Sequence, residues 1–269
     1  MLNFITNNIM TDETERQLHE LRLPGMANCW TSLQETHQLD KLSLRDGMQL
    51  MLQAERDKRE SNHIARLIKN AAFRDRASIE ELEVDTVRGI PAASVAELGT
   101  GGFIDHGSTI IMTGPAGTGK SYFAQAIGDR MCRLGHKVMY FTMAKLADML
   151  KLVRIEGRQV NFFKKLAALD LLIIDDWGMS KLTGDLQNDF EQIIDDRYNR
   201  KALIMCSQLP VADWYNVFQS ELIAEACLDR IVHKAIRFNL QGESLRKSIN
   251  FAVEVNFHED LVNGYHRNG

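Results

Sequence analysis

The chain has 269 residues, long enough for one full α/β domain plus a smaller helical one. Its formal net charge of −4 and pI near 6.1 exclude a global basic field, so any surface for nucleic acid must be local. Four widely spaced cysteines (Cys29, Cys132, Cys206, Cys227) with neither a C-x-x-C pair nor zinc spacing, no apolar run approaching the ~20 residues of a membrane span, and no secretion signal lead to the expectation of a cytoplasmic chain with no membrane partner.

Residues 11–39 and 43–72 read as helical and separate near Leu39–Ser43. Pro24-Gly25 is expected to break the first segment, because proline lacks an amide donor and glycine loosens the backbone. In the second, Leu44, Met48, Met51, Leu52, Ile64, Leu67 and Ile68 follow a helical stripe. The same segment is locally basic. Arg56, Lys58, Arg59, Arg66, Lys69, Arg74 and Arg76 stand against Glu55, Asp57, Glu60 and Asp75. Arg56, Arg59, Arg66 and Lys69 are the candidates for DNA phosphates. A solvated helix laced with ion pairs explains the run equally well, and nothing aromatic implies base stacking. Residues 74–108, with Gly89, Pro91, Gly99, Gly101, Gly102 and Gly107, read as a connector.

From residue 109 onward apolar runs alternate with helical patterns. Strands are expected at 109–113, 137–142, 170–175, 202–207 and about 235–239. Helices are expected at 119–134, 144–154, 160–168, 185–199, about 212–218 and 221–233. Such alternation predicts a parallel, doubly wound sheet.

After the first strand comes Gly114-Pro115-Ala116-Gly117-Thr118-Gly119-Lys120-Ser121, and Tyr122 leads into the helix. The pattern G-x-x-x-x-G-K-S between strand and helix is a phosphate-binding loop. The glycines let backbone N–H groups point inward, and the helix N-terminus adds its positive dipole end. Lys120 is expected on the β- and γ-phosphates and Ser121 on magnesium. The run Leu171-Leu-Ile-Ile174 ends in Asp175-Asp176, two carboxylates at the C-terminal end of a buried strand, where open α/β sheets bind ligands. Asp175 is the expected magnesium residue and Asp176 the group that polarises the attacking water. Gln208, leaving the strand 202–207, can donate to and accept from the γ-phosphate or its water, with Ser207 as second choice; Ser-Gln-Leu-Pro is also plain turn chemistry. Arg230 follows Asp229 in a helical stretch, and from spacing alone a local ion pair explains it best. Arg237 and Arg246 are further candidates for phosphate within the same subunit.

These pieces together resemble the IstB-like ATP-binding proteins, helpers of transposition and relatives of the DnaC helicase loaders within the AAA+ ATPases. The resemblance spans roughly residues 10–248. It rests on Leu23-Pro-Gly-Met-Ala27, Ala54-Glu-Arg-Asp-Lys-Arg-Glu60, Arg66-Leu-Ile-Lys69, the phosphate loop and Ile173-Ile-Asp-Asp-Trp-Gly178. It continues in Ser207-Gln-Leu-Pro210, Leu228-Asp-Arg-Ile231 and Gly242-Glu-Ser-Leu-Arg-Lys247. It implies ATP and Mg2+ as cofactors, ATP-dependent homo-oligomers on duplex DNA, and an IstA-type transposase as partner. It raises Arg230 to the expected arginine finger. The organisation it implies is a helical N-terminal domain over 1–75, a connector over 76–108, an AAA+ core over 109–248 and a tail over 249–269. With about thirty residues after the last strand, the usual four-helix AAA+ lid is expected to be missing or vestigial. Asp176 stands where most AAA+ proteins have glutamate, which fits slow hydrolysis. A helicase loader, a small-molecule kinase and a non-hydrolysing nucleotide switch are the competing readings.

Overall fold

The computed structural model describes residues 13–245. The chain forms two compact units that divide between Arg66 and Leu67.

In the first unit, residues 13–20 form α1, followed by α2 (Pro24–Glu35) and the start of α3 (Leu44–Ala71). The expected break at Pro24-Gly25 falls instead at residues 21–23, where Arg22 takes φ 60°. Pro24 opens α2, because proline at a first helical position loses no helical hydrogen bond. Gly25 is helical and fixed by close approach: a Cβ there would lie 2.4 Å from the Ala54 carbonyl oxygen of α3. Glu55 Oε2 accepts from the Gly25 and Met26 amides at 2.7 and 3.2 Å, so a side chain of α3 caps α2, which has no cap of its own. Glu55 Oε1 takes Arg59 Nε at 2.7 Å. Burial works to raise the Glu55 pKa, but Arg59 and the two amides outweigh it and hold the carboxyl below its usual range.

The helical stripe of α3 is only partly a core. Leu44 is 86% exposed and Met48 and Leu52 are exposed as well, whereas Leu67 and Ala71 are buried.

The second unit is a five-stranded sheet with parallel pairing throughout. Its strands are β1 (Thr109–Thr113), β2 (Val138–Thr142), β3 (Leu171–Trp177), β4 (Ala202–Ser207) and β5 (Ile236–Asn239), in the order β2-β3-β4-β1-β5. Alternation along each strand divides the core in two. Ile110, Met112, Leu171 and Ile173 face one apolar cluster; Ile111, Leu172 and Ile174 face the other. Sheets buried on both faces need such continuous apolar strands. The first face is covered by α6 (Lys120–Arg133) and by α4 (Ala92–Gly99) and α5 (Gly102–Asp105). Those last two helices lie in the stretch expected to be connector: Gly99, Gly101 and Gly102 sit at the helix ends, while Val95, Leu98, Phe103 and Ile104 are buried. The second face is covered by α7 (Met143–Ile155), α8 (Gln159–Ala167), α9 (Asp185–Arg197) and α10 (Glu221–Val232). Residues Val211–Val217 form a 3₁₀ helix, its Trp214 Nε1 tied to the Leu209 carbonyl at 3.1 Å.

Arg197 is 2% exposed and donates to the main-chain carbonyls of Leu166 and Ala202, joining the end of α8 to the start of β4. Burial pushes its pKa down to about 10. No described helix is long and apolar enough to cross a membrane. The expectation of a missing or vestigial lid, Arg246 and the tail 249–269 lie outside the described residues.

Candidate nucleotide site

β1 runs between β4 and β5, and its C-terminal end delivers the chain into the loop 114–119. Gly114 takes φ 146° and Gly117 φ 82°. A Cβ on Gly114 would fall 2.1 Å from the Leu240 carbonyl oxygen, and one on Gly117 would fall 2.1 Å from Ser244 Oγ, so no side chain fits at either position. The loop ends on Gly119, the N-cap of α6, so the first turn of that helix opens at the loop's mouth.

Lys120 is buried and folds over this loop. Its Nζ donates to the carbonyls of Gly114 and Pro115, each at 2.7 Å. Burial lowers its pKa, opposed in part by the carboxylates Asp175 and Asp176. Thr118 Oγ1 donates to the same Pro115 carbonyl at 2.9 Å, and Tyr122 Oη donates to Glu81 Oε2 at 3.3 Å.

The paired carboxylates stand at the C-terminal end of β3. Asp175 is 2% exposed; its Oδ2 accepts from Tyr140 Oη at 2.7 Å and its Oδ1 from the Asp176 amide at 2.9 Å. Simple strand alternation sends Asp175 and Asp176 to opposite faces. The chain avoids this: Asp176 takes φ 56° and the β3–β4 register shifts between Ile174 and Trp177. A non-glycine residue in this region is strained and persists only where its surroundings fix it. Trp177 supplies the anchor, fully buried, stacked on Phe190 at 4.6 Å and edge-on to Trp214 at 5.8 Å.

A cavity of ≈ 890 Å³ brings together Ala116, Gly117, Thr118, Gly119, Lys120, Ser121, Tyr122, Asp175, Asp176 and Gln208. Gln208 is exposed toward it, whereas Ser207, though at its wall, is committed elsewhere: its Oγ donates to the Trp177 carbonyl at 2.7 Å and accepts the Leu209 amide at 3.0 Å. Arg230 and Arg237 do not line this cavity. Arg230 pairs with Asp195 Oδ1 at 3.1 Å and donates to the Ala226 carbonyl; Arg237 donates to the Val232 carbonyl. Arg56, Arg59, Arg66 and Lys69 are exposed on α3, with Arg59 engaged by Glu55 and Arg66 3.5 Å from His63 Nδ1.

The cavity has a second wall that motif reading did not find. Arg74, Glu81, Leu82, Glu83, Arg88 and Ile90 line it from the segment before β1, and Leu245 from the segment after β5. Gln125 of α6, fully buried, holds this wall in place by accepting from the Arg74 and Asp75 amides at 2.7 and 2.9 Å. The Leu245 amide donates to the Gly117 carbonyl at 3.0 Å, and Arg88 donates to the Glu243 carbonyl at 3.1 Å. The described part of the Gly242–Lys247 motif therefore lies against the phosphate loop. The signal for this in the sequence is the resemblance of Gly242–Lys247 to the family, together with Arg246 as a candidate for phosphate.

Among the described residues no cluster of three or more His, Cys, Asp or Glu could hold a metal by itself. The donor set suits magnesium differently. Ser121 and Asp175 beside a phosphate loop match a cation that takes one or two protein oxygens and completes its shell with water and substrate phosphates.

Comparison with known proteins identifies the family. The model of the IstB-like ATP binding protein family matches residues 16–251. The insertion sequence ATP-binding protein y4pL of Sinorhizobium fredii is 34% identical over 240 residues, covering 89% of this chain and 98% of that protein. The ATP-binding protein of insertion sequence IS1162 from Pseudomonas fluorescens is 34% identical over 207 residues, 75% of this chain and 88% of that one. The crystal structure of the DnaC helicase loader shares the fold at 19% identity and TM-score 0.51, covering 61% of this chain and 97% of that one. AMPPCP-bound DnaA from Aquifex aeolicus does so at 20% identity and TM-score 0.53, covering 68% and 56%. With a family match that runs from α1 through the phosphate loop and both carboxylates, the chain belongs to the IstB-like ATP binding protein family.

Proposed function

We propose that this protein is a regulatory ATPase of an insertion sequence, which assembles on duplex DNA as ATP-dependent homo-oligomers and assists a partner transposase in target selection or strand transfer. The observation that carries the reading is the convergence of Lys120, Ser121, Asp175, Asp176 and Gln208 on one cavity, in a family whose curated relatives are named for insertion sequences.

The roles follow from the chemistry. The loop amides and the N-terminus of α6 take the phosphates, and Lys120 exchanges the Gly114 and Pro115 carbonyls for phosphate oxygens. Ser121 and Asp175 would hold magnesium, which would neutralise charge on the β- and γ-phosphate oxygens. Asp176 accepts the proton of the water that attacks the γ-phosphorus, while the bond from that phosphorus to the bridging oxygen breaks and ADP leaves. Gln208 orients the water. Arg230 serves the site of a neighbouring subunit as an arginine finger, and in doing so gives up its pairing with Asp195. The basic residues of α3 meet the DNA phosphates. The fold shared with the DnaC loader does not choose the partner; the names of the relatives favour the transposase over a helicase.

The test pairs two variants. Asp176→Asn is expected to bind ATP and to hydrolyse it slower by ~10²-fold or more. Arg230→Ala is expected to bind ATP in isolated subunits yet fail to turn it over. Mixing the two recovers activity in oligomers, because one subunit contributes the intact carboxylate and its neighbour the intact arginine. Parent-rate hydrolysis by Asp176→Asn removes Asp176 from its role. No recovery in oligomers shown to be mixed means that the site is completed within one chain.

A further inference from the structure

Tyr140 lies outside every motif in the sequence, yet its hydroxyl makes one of the two hydrogen bonds that fix the Asp175 carboxylate. It stands on β2, next to β3, where Tyr140 pairs with Ile173 and Thr142 with Asp175. The two-residue period puts Tyr140 and Asp175 on one face of the sheet. Both are nearly inaccessible, at 4% and 2% exposure.

The ring of Tyr140 packs in the apolar cluster with Val138, Phe123 and Ile173. Phenylalanine would fill that space without a polar atom to satisfy, and burying a hydroxyl costs free energy unless it finds a partner. The partner here is Asp175 Oδ2 at 2.7 Å. Lys120, the nearby cation, spends its hydrogen bonds on the Gly114 and Pro115 carbonyls. A carboxylate has about four acceptor positions. Among the described residues two are used, by Tyr140 and by the Asp176 amide, which leaves acceptor positions for a hydrated cation.

We propose that Tyr140 is a positioning residue for magnesium: its hydroxyl holds Asp175 in the orientation that receives the cation and thereby sets how much magnesium the site needs. The inference rests on the nucleotide-and-magnesium reading of the cavity. Outer partners of metal-binding side chains commonly matter by 10–100-fold in metal affinity.

The experiment titrates Mg2+ against binding of a fluorescent ATP analogue to the full chain, without reading turnover. Tyr140→Phe is expected to raise the half-saturating Mg2+ concentration by about 10-fold or more and to leave Mg2+-free binding unchanged. In an Asp175→Asn background the same substitution is expected to add nothing, because the tyrosine acts through that carboxylate. An unshifted Mg2+ midpoint in Tyr140→Phe, with a Mg2+-dependent parent, overturns the inference alone. Loss of Mg2+-free binding as well gives Tyr140 a structural role and also overturns it. A parent whose nucleotide binding ignores Mg2+ overturns the magnesium reading of the site, and this inference with it.

Discussion

The two compact units use the same residue types to opposite ends. In the α/β unit the large apolar side chains disappear: Trp177, Phe123, Phe190 and Trp214 are fully buried, and two clusters fill both faces of the sheet. In the helical unit Leu21, Leu44, Met48, Leu50 and Leu52 are exposed, and among its described residues the buried apolar side chains are Met26, Ala27 and Leu33. Its helices α2 and α3 are joined by a polar device, Glu55 on the Gly25 and Met26 amides. The contrast teaches where rigidity is needed. A site that holds Asp176 at φ 56° requires a close-packed surround, here the Trp177–Phe190 stack. Segments with few buried apolar contacts open at lower free energy than close-packed ones.

The sharpest way to break this comparison is to damage the packed unit. Phe190→Ala removes a fully buried ring and is expected to cost about 3–5 kcal/mol. Hydrogen exchange followed by segment should then show reduced protection over β3, β4 and α9, with the Gly25 and Met26 amides unchanged. Equal loss in both units would erase the distinction.

A smaller effect is expected from the surface of the helical unit. Replacing Arg56, Arg59 and Arg66 together by Ala should leave ATP binding intact and flatten the salt dependence of duplex binding. The slope of log K against log[salt] should shrink by about 0.9 for each DNA phosphate that is no longer neutralised by an arginine. An unchanged slope would move the DNA surface into the α/β unit.

The smallest effect concerns the cap. Glu55→Ala is expected to cost about 1 kcal/mol, on the scale of removing a helix cap, and to be visible only as faster exchange at Gly25 and Met26. The pH dependence has a definite sign. Because the folded state holds the Glu55 pKa below its ordinary 4.5, the cap is fully in force above that value and is lost as pH falls through the lowered one. Exchange at the two amides should therefore accelerate in acid beyond its intrinsic trend in the parent, and not in the variant. Identical acid behaviour of the two proteins would remove Glu55 from the capping role.

How much was legible in advance varies with the range of the interaction. The strands and most helices of the α/β unit were, because burial on both faces writes itself into contiguous apolar runs. The phosphate loop was, because its geometry depends on glycines within eight consecutive residues. Pro24 reads as a stop and is a start. Proline ends one helix as readily as it begins the next, and Glu55, which caps the new helix, lies thirty positions from Gly25. The stretch 76–108 reads as connector because its glycines and Pro91 interrupt any regular pattern, though Ile90, Val95, Leu98, Phe103 and Ile104 among its apolar residues are buried.

The sequence by itself determined that a phosphate loop follows a strand, that two carboxylates end another, and that basic residues gather on one helix. Each of these is a property of near neighbours along the chain. Only the tertiary structure decided that Asp176 turns to the same cavity as Asp175, that Tyr140 holds Asp175, that Gln125 fixes Arg74 beside the phosphate loop, and that Arg230 is paired with Asp195. The physical reason is common to all four. Backbone strain and hydrogen bonds between distant residues exist only once the sheet has brought their elements together, and no local periodicity records them.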